Sequence, residues 1–171
     1  MFNWKYSHWA RILWTILRVY LGYNWLMSGY GKVFGEKSAV WVGAQAGTAV
    51  TGFLKGALAK TSGPHPDVQS WYAWFINHMA LPNAKIFSYM VAWGELLVGI
   101  ALIIGFLTTF ALLAGLLMNF NYLLAGTVSA NPIYIIEALI LLWAGWAAYY
   151  WGVDRFIFHG WQEREEQRIR R

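Results

Sequence analysis

The chain has 171 residues, of which 58% are hydrophobic and only 12% are charged, and its formal net charge is +5. A soluble globule of this size cannot bury so much apolar surface, so the composition predicts an integral membrane protein. The cations lie singly in loops and in one tail, which excludes a nucleic-acid-binding face, and the lack of cysteine excludes thiolate catalysis, iron–sulfur clusters and thiolate zinc sites in this chain.

The first predicted membrane span covers residues 9–28. Arg18 interrupts its apolar run, which is not typical of a cleaved signal peptide, so we expect the segment to be retained. Arg18, Gly22 and Gly29 recur at helical spacing and share one stripe. This stripe is expected to face other helices, because a guanidinium within the membrane needs a partner and small residues allow close packing.

Residues 32–85 form a long loop that is richer in glycine, threonine and lysine. The stretch 38–60 contains Gln45 and Lys55, which makes a further span unfavourable, and we interpret it as one or two short helices over the outer mouth of a helix bundle. In the next helix Trp71 and Trp74 share a face, which suits a helix at headgroup level.

Three further spans are predicted at 86–107, 108–126 and 132–152. The connection between the second and third spans is so short that these helices must be antiparallel neighbours. Asn131 is expected to be the N-cap of the fourth span, with Pro132 at its first helical position. The predicted fold is an all-α, integral membrane four-helix bundle with an extracytoplasmic helical loop between the first and second spans.

Four spans place both termini on one side of a membrane. The two short loops lack Lys and Arg, whereas the tail 155–171 is rich in arginine, so both termini are predicted to be cytoplasmic. The lysines of the long loop oppose this orientation, but loops of that length count less in the rule. Residues 1–154 are therefore read as the transmembrane domain and 155–171 as a basic cytoplasmic tail.

Several polar side chains fall at similar predicted depths near the outer ends of the four spans, when depth is counted at about 1.5 Å per residue. We therefore predict a pocket that opens towards the outer leaflet and suits a quinone headgroup. In it, Glu95 and Glu137 are the predicted catalytic, proton-moving residues, and the predicted substrate-binding residues are Arg18, Lys32, Asn119, Asn121 and Asn131. No metal or haem is expected, since the four histidines lie in the loop or near the chain ends.

Structural interpretations remain open for several of these residues. Arg18 and Glu95 could form an ion pair that holds two helices in register without reacting. Asn119 and Asn121 lie on different helix faces, so we expect at most one of them to reach the pocket. Asn131 could serve only as a cap.

Four segments carry a family likeness: Leu17-Arg-Val-Tyr-Leu-Gly22, Ser28-Gly-Tyr-Gly-Lys32, the run from Trp93-Gly-Glu-Leu to Thr108, and the run from Met118-Asn-Phe-Asn to Pro132. In order and spacing they resemble the DoxX/DoxD family of four-helix membrane proteins, over nearly all of the chain up to Asp154. The resemblance implies a bacterial or archaeal cytoplasmic membrane. DoxD members are described as a subunit of thiosulfate:quinone oxidoreductase, which passes electrons from thiosulfate to quinone.

Two functional hypotheses follow. The first is a quinone-linked membrane oxidoreductase or its membrane subunit, whose partners are the lipid bilayer, quinone as co-substrate and a soluble redox subunit. The second is a non-catalytic anchor or assembly partner of a soluble redox protein, bound through the basic tail. A small-molecule transporter is disfavoured because the chain has no internal repeat. A homo-oligomer is compatible with either hypothesis.

Overall fold

The structure is a computed structural model that describes residues 4–158, and the part of the predicted basic tail from residue 159 onwards lies outside these residues. All regular structure in the described part is helical, as predicted. The helices are α1 (His8–Val33), α2 (Ser38–Trp41), α3 (Thr48–Leu58), α4 (Ser70–Phe75), α5 (Ala84–Ile104), α6 (Thr108–Leu124), α7 (Asn131–Ala144) and α8 (Asp154–Ile157). A π-helical turn (Ile76–Ala80) follows α4, and a 3₁₀ turn (Gly145–Ala148) follows α7.

The four long helices α1, α5, α6 and α7 pack together around one apolar core, and α1 and α5 form the most extensive contact. Two glycines bring the backbones of α1 and α5 together. A Cβ on Gly29 of α1 would lie 2.3 Å from the backbone nitrogen of Leu96, and one on Gly99 of α5 would lie 2.3 Å from that of Leu26. These reciprocal contacts set the axial register of the two helices.

Two of these elements are long and apolar enough to cross a membrane by length and composition, namely Ala84–Ile104 and Asn131–Ala148. The apolar helix α6 is shorter, at 17 residues. Large apolar side chains cover the outside of the long helices, among them Phe110 at 70% and Leu117 at 66% exposure. Such an exterior suits lipid rather than water.

Residues 34–83 cover one end of the four long helices, which we call the cap end. Two short helices, α2 and α3, occupy the stretch 38–60. Val50, Leu54, Tyr72 and Ile76 form a second apolar core with residues at the cap ends of α5 and α6. The opposite end carries the connection between α5 and α6 at residues 105–107, and we call it the turn end.

Hydrogen bonds from Arg18 and to Asp154 join the chain segment 151–154 to the turn end. The side chain of Arg18 is 1% exposed, and its Nη2 donates to the carbonyl oxygen of Trp151 at 2.8 Å. Gly105 lies beside this guanidinium, since a Cβ there would be 1.9 Å from Nη1 of Arg18. Asp154 accepts from the backbone N–H groups of Leu107 at 2.7 Å and Thr108 at 2.8 Å, which caps the start of α6.

Replacing Asp154 with alanine removes both acceptors at the start of α6. We expect the free energy of unfolding to fall by about 1–3 kcal/mol, because one buried and one partly buried N–H group lose their partner. Denaturation of the purified protein in detergent measures the change. The exposed Glu36→Ala is the control and is expected to change stability by less than about 0.5 kcal/mol. Equal losses in the two variants would contradict the capping role.

Candidate functional site

A cavity of about 580 Å³ lies at the cap end between α5, α6 and the covering helices. Its polar side is made by Glu95 of α5, Lys32 and Ser28 of α1, and Tyr122 of α6. The remaining walls are mainly apolar and aromatic, and they include Trp41, Phe53, Leu54, Phe75, Phe87 and Met118. A large apolar space with a few convergent polar groups is the usual form of a small-molecule site.

Glu95 is the centre of the polar side. Its side chain is buried, with 3% of the residue exposed, and α5 carries it where α1 and α6 both reach it. Oε1 accepts from the hydroxyl of Tyr122 at 2.7 Å. Oε2 accepts from the hydroxyl of Ser28 at 2.8 Å and forms an ion pair with Nζ of Lys32. One carboxylate thus joins three helices.

Lys32 connects this buried carboxylate to the mouth of the cavity. Its Nζ also donates to the hydroxyl of Ser28 at 2.8 Å, and it lies 5.1 Å from the ring centroid of Trp41 in α2. The side chain of Lys32 is 18% exposed, whereas that of Glu95 is 4% exposed. The ammonium therefore compensates a buried negative charge and is itself partly exposed.

Tyr72 adds a further polar group to the cavity, on the side formed by the cap. This residue of α4 donates its hydroxyl to Asn121, at 3.1 Å from the backbone oxygen and 3.2 Å from Oδ1. Burial raises the pKa of the Tyr72 phenol above its ordinary value, so the hydroxyl keeps its proton across the physiological pH range. It is a donor towards α6 and not a proton-transfer group at neutral pH.

The lining of the cavity includes two residues from the outside of the long helices. Met90 of α5 and Leu117 of α6 both line it, yet they are 61% and 66% exposed on the outside of the helices. Their side chains therefore form a rim between the interior space and the surface that suits lipid.

Four predicted site residues line the cavity: Lys32, Glu95, Asn121 and Asn131. The two amides are engaged in local contacts, because Asn121 donates to the carbonyl of Leu117 and Asn131 to that of Thr127. Asn131 is not the N-cap of α7. The helix begins at Asn131 itself, with Ala130 in the cap position and no side-chain cap.

The other three predicted residues are not among those that line this cavity. Arg18 lies at the turn end, where it contacts Gly105 and Trp151, and not beside Glu95. The predicted depth of Arg18 was wrong because α1 continues to Val33, which places Arg18 fifteen residues from the end of the helix. Glu137 is half-buried on α7, and Asn119 is 1% exposed with both side-chain polar atoms unpaired within the described structure.

Sequence reasoning did not select Ser28, Tyr122, Trp41 or Tyr72 as site residues. For two of them, helical spacing in the sequence could have indicated the site. Ser28 precedes Lys32 by one helical turn, and Tyr122 lies on the polar stripe of α6 that also carries Asn119. For Trp41 and Tyr72 the sequence offers no comparable signal, because only the folding of the cap brings them to the cavity. Within residues 4–158, no three His, Asp or Glu side chains are grouped as metal ligands would be.

The family model described as DoxX matches residues 13–128, which is more than half of the chain. The chain belongs to the DoxX family. It is therefore a membrane protein, as its composition predicts, and the DoxX part of the sequence resemblance is confirmed. The matched DoxX segment contains every residue of the polar side, from Ser28 to Tyr122. No curated protein and no solved structure matches the chain.

Proposed function

We propose that this DoxX family protein binds a membrane quinone in the cap-end cavity and is a quinone-linked oxidoreductase or the membrane subunit of one. The observation that carries the proposal is the combination of a lateral rim at Met90 and Leu117 with a buried polar side at Glu95. A quinone has the matching chemistry, since its carbonyl oxygens accept hydrogen bonds and its tail is an apolar chain.

The proposal includes a topology in the membrane. In it, α1, α5, α6 and the segment 131–148 are the four spans of a prokaryotic cytoplasmic membrane, and residues 34–83 lie on the extracytoplasmic side. Both termini are then cytoplasmic, in keeping with the cations near the chain ends. The cavity lies in the outer half of the bilayer, where the quinone pool is accessible.

In the proposed complex the quinone ring lies among the aromatic walls and its tail leaves between Met90 and Leu117. A carbonyl oxygen accepts from Lys32, whose positive charge stabilises the negative charge that develops on reduction. Glu95, a carboxylate while it pairs with Lys32, relays the proton: it takes one up from the ammonium of Lys32 and passes it to the reduced ring, and Tyr122 positions its carboxyl group. Lys32 reconnects Glu95 to the outer aqueous phase for reprotonation.

Thiosulfate is the proposed electron donor, through a soluble redox subunit. Two thiosulfate ions join through a new sulfur–sulfur bond to give tetrathionate and release two electrons. The quinone takes up these electrons and two protons to become quinol. This step follows the DoxD likeness of the sequence, and it assigns the present chain the quinone side of the reaction.

The test is a titration of the purified protein with a short-chain quinone, followed by quenching of tryptophan fluorescence, since Trp41 lines the cavity. Tyr122→Phe is expected to weaken binding by about threefold to tenfold, because Glu95 loses a hydrogen bond that orients it. Tyr23→Phe, on an exposed face of α1, is the matched control and should bind as the wild type does. Absence of saturable binding in the wild type would refute the proposal.

A further inference from the structure

A second group of polar residues borders the cavity where α6 connects to α7. Thr127, Ser129 and Asn131 alternate along this part of the chain, and all three line the cavity. Val128, which lies between two of them, is not in the lining and is 64% exposed. We call the three polar residues the connection edge. They lie at the cap end, beyond the last residue of α6.

The two hydroxyl groups of the connection edge are available to a ligand. Among residues 4–158, neither Thr127 nor Ser129 uses its side-chain hydroxyl in a hydrogen bond. The backbone around them is nevertheless held in place. The N–H of Thr127 donates to the carbonyl oxygen of Tyr122 at 3.0 Å, and the side-chain amide of Asn131 donates to the carbonyl oxygen of Thr127 at 2.9 Å. Donors on a backbone fixed in this way lose little freedom when a ligand binds.

Ser129 has a left-handed backbone conformation, with φ at +42°. Residues with a Cβ adopt this conformation at a cost, which glycine does not have. Backbone strain of this kind persists where the surrounding structure imposes it, and it is concentrated at functional sites. A glycine here would relieve the strain, but it would leave the cavity without the hydroxyl group of Ser129.

Tyr122 joins the connection edge to Glu95 and shows how far apart they are. Its backbone oxygen accepts from the N–H of Thr127, and its hydroxyl donates to Glu95 at 2.7 Å. The two polar parts of the cavity are therefore separated by about the length of one tyrosine side chain. A para-quinone has a similar reach, because its carbonyl oxygens lie at opposite corners of a six-membered ring, as the hydroxyl and Cβ of a tyrosine do.

We infer that Thr127 and Ser129 donate hydrogen bonds to the second carbonyl oxygen of the quinone, the one that Lys32 does not bind. The inference rests on the proposed function, and it restricts the ligand to a ring with two opposed carbonyl groups. A carbonyl oxygen has two lone pairs and can accept from both hydroxyls. An amphiphile with a single polar end, such as a fatty acid, would leave one of the two polar parts of the cavity unpaired.

The experiment compares two ligands with the same fused ring system by isothermal titration calorimetry of the full chain in detergent. They are α-naphthoquinone, which has two opposed carbonyl groups, and α-tetralone, which has one. The wild type should bind the quinone about threefold to tenfold more tightly. Thr127→Val and Ser129→Ala should each lower quinone affinity about threefold, and together about tenfold, with less than about a twofold effect on the tetralone. The matched control is the double variant Thr109→Val/Ser62→Ala, whose exposed positions do not line the cavity and which should bind both ligands as the wild type does.

Ser129→Gly separates a role in binding from a role in the fold. Glycine adopts the left-handed conformation freely, so the Tm should not fall, whereas quinone affinity should fall as in Ser129→Ala. The inference is overturned, and the quinone site is retained, if Thr127→Val/Ser129→Ala binds the quinone as the wild type does. An equal loss of affinity for both ligands also overturns it, since that result indicates a distorted cavity. If neither ligand binds to the wild type, the quinone proposal itself fails and the inference fails with it.

Discussion

Replacing Gly29 with alanine is expected to force α1 and α5 apart and to lower the free energy of unfolding by about 1–3 kcal/mol. The new Cβ would lie 2.3 Å from the backbone nitrogen and 2.6 Å from Cα of Leu96, so no side-chain rotation can relieve the overlap. Because Glu95 directly precedes Leu96, the same displacement should pull the carboxylate away from Ser28 and Lys32. Quinone binding is therefore expected to weaken together with stability.

Gly31→Ala is the matched control, two residues along the same helix. A Cβ at Gly31 meets nothing within 4 Å, so the substitution is expected to be neutral, or stabilising by up to about 1 kcal/mol through helix propensity. Denaturation in detergent and the quinone titration provide the two measurements. If Gly29→Ala had the same stability and the same quinone affinity as Gly31→Ala, the result would contradict the close contact between α1 and α5.

The second large effect is expected from Glu95→Gln, which leaves the ammonium of Lys32 without its counter-ion. The loss of stability should be about 1–3 kcal/mol, less than for a fully buried pair, because the partly exposed lysine can turn towards water. Quinone affinity should fall at least about tenfold, because Lys32 and Tyr122 lose the carboxylate that orients them.

A double-mutant cycle with Lys32→Met separates the structural role of the pair from its role in binding. The double variant Glu95→Gln/Lys32→Met contains no unpaired charge. Its loss of stability should therefore be smaller than the sum of the two single losses by about 1–3 kcal/mol. Its quinone affinity should remain low. Recovery of both stability and binding in the double variant would show that the pair only holds α1 and α5 together.

Many features of the fold follow from local sequence. The apolar runs and the Gly/Pro breaks predict the helices, and the short connection at 105–107 makes α5 and α6 antiparallel. Glu95 stands out as a carboxylate within an apolar helix, and it does line the cavity. These predictions succeed because helix periodicity and transfer from water to lipid act on each segment separately.

The partner of Glu95 could not be predicted in the same way. Helical spacing shows that Arg18, Gly22 and Gly29 share a face, but it does not show which residue of α5 lies at the same height. Reciprocal packing of Gly29 against Leu96 and of Gly99 against Leu26 decides that height. It brings Lys32 to the carboxylate and leaves Arg18 at the turn end.

By itself, the sequence determined the membrane class, the helices, the family and one buried carboxylate of the candidate site. Tertiary structure alone decided that Lys32, Ser28 and Tyr122 surround this carboxylate and that cap residues such as Trp41 close the cavity. The physical reason is that the axial offset between two helices depends on contacts between their backbones. Those contacts involve residues distant in sequence, and no periodicity within a single helix records them.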